Sequence, residues 1–92
     1  MDIRQALGTA LKSARKSRGL TQEDFGGISS RTYLSTLERG LKSPTLDKIQ
    51  EISKVLGLHP LTLLSMAYIQ RDSRSASELL EVVRDEIEKL SN

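Results

Sequence analysis

The chain has 92 residues, of which 37% are hydrophobic and 3% aromatic, and it contains no cysteine. This length supports one compact domain, and a core with so few aromatic side chains must be built from Leu, Ile, Val and Ala, which favours an all-α bundle; a disulfide framework and a thiolate metal site are excluded. Residues 1–59 carry ten Lys/Arg against six Asp/Glu, a net charge of +4, whereas residues 60–92 carry four against six, a net charge of −2, so we expect an anionic partner for the front of the chain unless this is an ordinary mixed-charge surface.

The first two predicted helices lie within residues 2–27. Asp2 and Gln5 have the spacing of a capping box, and Gly19 is a typical C-terminal residue, so the first helix is expected over about 2–18. Thr21 begins a short second helix that ends at Gly26 and Gly27, which permit a tight turn with positive φ. The apolar residues on one face of the first helix are Ile3, Leu7, Ala10, Leu11 and Ala14.

Three more short helices are predicted before residue 70. Ile28, Ser29 and Ser30 resemble a hydrophobic staple and cap for a third helix that ends at Gly40. A fourth helix is expected to end at Gly57, and Pro60 suits the first turn of a fifth. The apolar positions are Leu34 and Leu37 in the third helix, Leu46, Ile49, Ile52 and Leu56 in the fourth, and Leu61, Leu64 and Ala67 in the fifth.

A polar joint over residues 71–75 separates these five helices from a sixth, which is predicted to run to about Leu90. We therefore divide the chain into a bundle over residues 1–70 and a C-terminal element over 71–92. The sixth helix has a narrow apolar seam that either folds back onto its own bundle or pairs with a second copy. The seam comprises Leu80, Val83, Ile87 and Leu90.

The cap residues and glycines that begin and end the second and third helices are typical of a helix-turn-helix. With Leu34 and Leu37 facing inward, the polar residues of the third helix must lie largely on its other faces. Such a face can read base edges, because Arg donates two hydrogen bonds to guanine and Thr bonds a base or contacts the thymine methyl. The polar residues concerned are Arg31, Thr32, Ser35 and Thr36.

Three segments together resemble the Xre family of Cro/repressor-type, lambda-repressor-like helix-turn-helix DNA-binding domains. They are LKSARKSRGLTQEDF (11–25), RTYLSTLERG (31–40) and SPTLDKIQEISKVLGL (43–58). The resemblance covers about residues 3–68. It implies a five-helix bundle whose third helix enters the major groove of double-stranded DNA, followed here by a C-terminal amphipathic helix.

Carried over position by position, the resemblance implies roles for individual residues. Bases would be read by Arg31, Thr32 and Thr36. Phosphates would be contacted by Gln22, Ser30, Arg39, Lys42 and Ser43, and we add the hydroxyl of Tyr33, whose ring is equally well suited to packing. A structural ion pair would join Arg15 to Glu38.

The chain departs from the family in one place. Between Thr21 and Tyr33 it is two residues shorter than the usual spacing, and Gly26 and Gly27 stand where the family has the end of its second helix. The resemblance therefore does not fix the angle between the second and third helices.

The sequence predicts a cytoplasmic, sequence-specific transcriptional regulator acting as a homodimer through the sixth helix; a repressor is expected, although the residues themselves do not distinguish repression from activation. Two other functions stay open: an antitoxin-like regulator whose C-terminal segment binds a partner protein, and a protein-interaction module that no longer binds DNA. No enzyme, cofactor, metal site or membrane contact is expected, because no phosphate-binding loop, metal-ligand spacing or apolar span is present. His59, the only histidine, is expected to cap a helix or lie at the surface rather than to take part in catalysis.

Overall fold

A computed structural model of the chain describes residues 1–28 and 30–91, with Arg31 described by its backbone alone. Within these residues the fold is all-helical, as predicted: five α-helices and one 3-10 helix, without strands. The predicted second helix is a single 3-10 turn. In chain order the elements are α1 (Ile3–Ser17), the 3-10 helix (Gln22–Phe25), α2 (Arg31–Glu38), α3 (Leu46–Leu56), α4 (Pro60–Asp72) and α5 (Ala76–Leu90).

Side chains at the helix N-termini satisfy backbone N–H groups that have no partner within the helix. The backbone N–H of Gln5 donates to Asp2 Oδ1 over 2.9 Å, in the predicted capping box. His59 caps α4, as expected, because its Nδ1 accepts the N–H of Leu61 over 3.0 Å. Ser29, the other residue of the predicted cap of α2, lies outside the described residues.

The core lies between α1, α2, α3 and α4. Two apolar residues expected on inward faces are exposed instead: Leu46, the first residue of α3, at 79%, and Leu61, at the start of α4, at 62%. Both residues lie in the first turn of their helix, ahead of the part that packs into the core. In α4 the buried residue is Leu63 instead. The buried apolar residues are Ala6, Ala10, Leu11, Ala14, Phe25, Leu34, Leu37, Ile49, Ile52, Leu56, Leu63 and Ala67.

The turn before α2 does not use the positive φ that its two glycines permit. Gly26 is in the right-handed helical region, with φ −61°, and neither Gly26 nor Gly27 has positive φ. Each turn bond spans three residues: the N–H of Gly26 donates to Glu23 O and that of Ile28 to Phe25 O, both over 3.0 Å. The turn thus continues the 3-10 geometry, which needs no left-handed residue.

The predicted joint between α4 and α5 is shorter than expected, because Arg71 and Asp72 still belong to α4. Ser73 ends α4 in the left-handed region, at φ 53° and ψ 39°. Ser75 then caps α5; its N–H donates to Glu78 Oε1 over 3.0 Å and its Oγ accepts the N–H of Glu78. The N–H and hydroxyl of Ser75 favour the charged carboxylate and hold the pKa of Glu78 below its ordinary value.

Helix α5 packs against α4, yet none of its residues is buried. The overall dimensions of 43 × 25 × 23 Å reflect this elongated arrangement. Among the described residues no single helix has the length and apolar composition to cross a membrane; only α3 and α4 taken together, bent by 102°, reach it.

Helices α1 and α2 touch at Gly8. A Cβ placed on Gly8 would lie 2.5 Å from Leu37 O and 2.7 Å from Glu38 O. Gly40, at φ +75°, makes a similar approach to the backbone of Gln5. The C-terminus of α2 therefore rests on the backbone of α1, without an intervening side chain.

A buried ion pair fixes the same end of α2. Arg15 Nε donates to Glu38 Oε2 over 2.7 Å and Arg15 Nη2 to Glu38 Oε1 over 3.0 Å, and the two side chains are only 11% and 4% exposed. Arg15 Nη1 also donates to Leu20 O over 3.0 Å. The hydrogen bond to Glu38 raises the pKa of Arg15 above its ordinary value despite partial burial. The guanidinium thus joins α1, the segment after it and α2.

Gly8→Ala is expected to lower the free energy of unfolding by at least about 2 kcal/mol, because the new methyl group meets backbone oxygens that cannot rotate away. Urea denaturation measures the change. Gly27→Ala is the matched control, since a Cβ there has nothing within 4 Å. Equal stability of the two variants would show that α1 and α2 do not approach this closely.

Arg15→Met should lower the free energy of unfolding by about 3–5 kcal/mol, because it leaves the Glu38 carboxylate buried without its partner. Removing both charges, in Arg15→Met with Glu38→Leu, should cost less than the sum of the two single changes. Arg18→Met is the control, an exposed arginine one residue beyond α1. Thermal and urea unfolding would contradict the role of the pair if Arg15→Met and Arg18→Met were equally stable.

Candidate DNA-binding surface

The candidate reading helix is α2, held with one side in the core. Leu34 and Leu37 are buried, and the capping Ser30 Oγ accepts the N–H of Tyr33 over 3.1 Å. The opposite side carries the exposed Thr32 and the half-buried Thr36. A helix anchored in this way presents hydrogen-bonding groups to a partner at little entropic cost.

The two threonines of the predicted base-reading set differ in what they offer. Thr36 Oγ1 donates its proton to Thr32 O over 2.7 Å, so Thr36 presents an acceptor oxygen and a methyl group. Thr32 lies further out, where its hydroxyl can both donate and accept. The third member of the set, Arg31, begins α2, and its side chain lies outside the described residues.

Gln22, predicted to contact a phosphate, also makes a hydrogen bond within the fold. Its Nε2 donates to Glu38 Oε1 over 3.2 Å, which places the 3-10 helix beside the Arg15 ion pair. A glutamine amide carries two N–H groups, so this bond leaves one for a phosphate oxygen. Sequence reasoning did not foresee the bond between Gln22 and Glu38.

Of the remaining predicted phosphate contacts, Ser30 and Tyr33 lie at the N-terminus of α2. Ser30 is exposed, whereas the Tyr33 ring is partly buried against the core. Packing therefore accounts for the ring, and a phosphate role would rest on its hydroxyl alone.

Arg39, Lys42 and Ser43 follow the other end of α2 and are all exposed. The N–H of Gly40 donates to Leu37 O over 3.0 Å and that of Leu41 to Thr36 O over 3.1 Å. These two bonds turn the chain away from the helix axis. Cationic and hydroxyl groups thus lie beyond the C-terminus of α2, the end at which Gln22 also contacts Glu38, while the Ser30 cap lies at its N-terminus.

One contact to the turn was missed in the sequence. Lys48 Nζ, on α3, donates to Ile28 O over 2.6 Å, immediately before the undescribed Ser29. No sequence pattern signals it, because an exposed lysine on an amphipathic helix is ordinarily solvated. Among the described residues no group of three or more His, Cys, Asp or Glu is arranged to hold a metal ion.

Comparison with known proteins agrees with this geometry. The family model "Helix-turn-helix" (HTH_3) matches residues 11–63. A transcriptional regulator of Sinorhizobium fredii, "Uncharacterized HTH-type transcriptional regulator y4dJ", is 37% identical over 67 residues, which cover 71% of this chain and 87% of that protein. "Control protein C.BamHI" of Bacillus amyloliquefaciens is 38% identical over 71 residues, covering 74% of this chain and 88% of that protein.

A third relative and two solved structures extend the similarity. "Immunity repressor protein" of Bacillus phage phi105 is 24% identical over 94 residues, covering 90% of this chain and 65% of that protein. Two crystal structures of the clp gene regulator ClgR from Corynebacterium glutamicum are similar, with TM-scores of 0.68 and 0.70 at 33% and 27% identity; they cover 73% and 98% of this chain and 90% of each ClgR chain. The family match spans more than half of the chain, and the protein therefore belongs to the helix-turn-helix family of DNA-binding transcriptional regulators.

Proposed function

We propose that this regulator binds double-stranded DNA sequence-specifically as a homodimer, with α2 in the major groove. The observation that carries the proposal is the setting of α2: leucines in the core on one side, an ion pair at its C-terminal end, and threonines outward on the other side. The protein acts where the DNA is, in the cytoplasm of a bacterial host, and represses transcription by occupying its operator.

Base reading is assigned to the outward face of α2. Arg31 donates to guanine O6 and N7, the commonest specific contact in the major groove. Thr32 bonds a base edge through its free hydroxyl, while Thr36 contacts a thymine methyl or accepts a bond from a base amino group. The hydroxyl proton of Thr36 is already committed to Thr32 O, and this supports the division.

Phosphate contacts flank this face and set the orientation of the protein. On the N-terminal side Ser30 and the Tyr33 hydroxyl meet one strand, near the positive end of the helix dipole. Gln22, whose amide is bonded to Glu38, uses its second N–H for a phosphate from the 3-10 helix. On the C-terminal side Arg39, Lys42 and Ser43 meet the backbone across the groove. The exposure of these last three residues supports the assignment.

Dimerisation is assigned to α5. The seam residues Leu80, Val83, Ile87 and Leu90 are 40–86% exposed, although a helix of fifteen residues is marginal in water unless its apolar face is covered. At 100° per residue, Glu81, Asp85 and Glu88 fall on the opposite side, so they do not oppose pairing of two seams.

The seam continues into an open apolar groove between α4 and α5, whose lining includes Leu61, Met66 and Ile69. Stable interfaces use roughly 20–30 residues from each partner, far more than four. We therefore extend the proposed interface from the seam onto α4. Two copies related by two-fold symmetry would place their reading helices on half-sites about 10 base pairs apart, centre to centre.

Arg31→Ala should erase the base preference at one or two positions of each half-site and weaken operator binding by about 1–3 kcal/mol. Lys42→Ala should weaken binding to all sequences similarly and reduce the dependence of log K on log salt by about one unit. Selection from a random DNA pool, followed by titrations at several salt concentrations, measures both effects.

Two further variants serve as internal comparisons on the same face. Thr32→Val removes a hydroxyl free to bond a base, whereas Thr36→Val removes one already bonded to Thr32 O; the first should therefore lose more affinity for the operator. If Arg31→Ala lost the same binding affinity for the operator and for random DNA, the assignment of Arg31 to base reading would be wrong.

Ile87→Glu should convert the dimer to monomers, because it introduces a charge into the middle of the seam and the paired state would have to bury it. Sedimentation or light scattering gives the mass. Operator binding should then fall steeply, since one reading helix covers too few base pairs to compete with nonspecific sites.

Leu46→Glu is the matched control for charge and size, because Leu46 is an exposed leucine outside the seam. It should leave the mass unchanged. A wild-type protein that is monomeric at high concentration and on DNA would contradict the dimer, while leaving the base contacts of α2 to be judged by the selection experiment.

A further inference from the structure

The ammonium group of Lys48 reaches from α3 to the turn that leads into α2. Nζ donates to Ile28 O over 2.6 Å, joining residues 20 apart in the sequence, and also lies 3.4 Å from Glu51 Oε2. The Lys48 side chain is 34% exposed, so the bond to Ile28 is only partly open to water. It is a charge-assisted hydrogen bond, which is stronger than one between neutral groups.

The backbone of Lys48 is held in place by the cap and the packing of α3. Its backbone N–H donates to Thr45 Oγ1 over 3.2 Å in the cap of α3, and the neighbouring Ile49 is buried. The side chain therefore extends from the first turn of a helix that is packed into the core. A hydrogen bond from a side chain on this helix can therefore fix the position of a loop relative to the whole bundle.

The turn has few other constraints on its position. The described backbone bonds of residues 26–28 reach back only to Glu23 and Phe25. A Cβ on Gly27 would have nothing within 4 Å, so the space on that side of the turn is open, while Phe25 before it is buried.

We propose that Lys48 is a positioning residue for DNA recognition: its bond to Ile28 O fixes the turn before α2 and thereby the N-terminal end of α2, where Arg31 and Thr32 lie. The C-terminal end of α2 is already held by Glu38. Leu34 and Leu37 hold the middle of α2 in the core, so the Lys48 bond acts on the first turn of the helix, ahead of these anchors. This inference rests on the proposed sequence-specific binding.

The proposal is tested with Lys48→Met, which keeps a long side chain and removes the donor. Lys54→Met is the matched control, because Lys54 is an exposed lysine near the other end of α3 and its loss changes the net charge equally. The ratio of operator affinity to random-DNA affinity should fall about tenfold in Lys48→Met and stay unchanged in Lys54→Met. The salt dependence of both variants should be the same.

Hydrogen exchange of the amides of residues 26–28 provides a readout without DNA. It should speed up in Lys48→Met and remain at the wild-type rate in Lys54→Met, with α1 and α4 protected as before. Lys48→Arg, which keeps the charge but alters the geometry of the donor, should show an intermediate operator preference with wild-type affinity for random DNA. This variant keeps the proposal testable if Lys48→Met does not fold.

Three results would overturn the inference. An equal loss on operator and random DNA, with the salt slope reduced by about one unit, would make Lys48 a phosphate contact. Unchanged exchange in residues 26–28 would show that the bond does not hold the turn, and a wild-type operator preference in Lys48→Met would show that the turn does not guide reading. A wild-type protein without any preferred site would instead contradict the proposed function, while the exchange measurement would still report on the bond.

Discussion

The fold depends on the guanidinium of Arg15, which binds three parts of the chain at once. It holds Glu38 through two hydrogen bonds and Leu20 O through a third, and Glu38 in turn accepts from Gln22. Because the pair is largely removed from water, either partner alone would be a buried, uncompensated charge. Every element of the helix-turn-helix thus takes its position from one cation in α1, reinforced by the direct backbone contact at Gly8.

This arrangement separates the buried residues that hold the helices together from the surface proposed to contact DNA. Leu34, Leu37 and Glu38 face the bundle, so substitutions among them act through stability and orientation. Thr32, Arg39 and Lys42 face outward, so they are free to vary without disturbing the core. A family of regulators that reads many different operators on one scaffold requires this independence.

Much of the fold could be predicted from the sequence, because caps, glycine stops and apolar spacing act locally. The box of Asp2 and Gln5 and the inward Leu34 and Leu37 are examples. The exposure of Leu46 and Leu61 could not be predicted, since periodicity gives a face but not the point at which a helix reaches the core. The bond from Lys48 to Ile28 O was equally hidden, because it joins a solvated residue type to a backbone atom far away in the sequence. The roles of individual residues toward DNA follow from the family resemblance, because local spacing carries no information about base or phosphate contacts.

The left-handed serine between the last two helices has a consequence for how far apart two DNA-bound bundles would stand. Ser73 holds φ at 53° without the freedom of glycine, so the direction in which α5 leaves the bundle is set by a single strained residue and a few contacts with α4. If two copies pair through α5, a change of a few degrees in the Ser73 dihedral angles would produce a large displacement at the far end of α5. The conformation of Ser73, a residue far from any base, would then determine the number of base pairs that the regulator tolerates between half-sites.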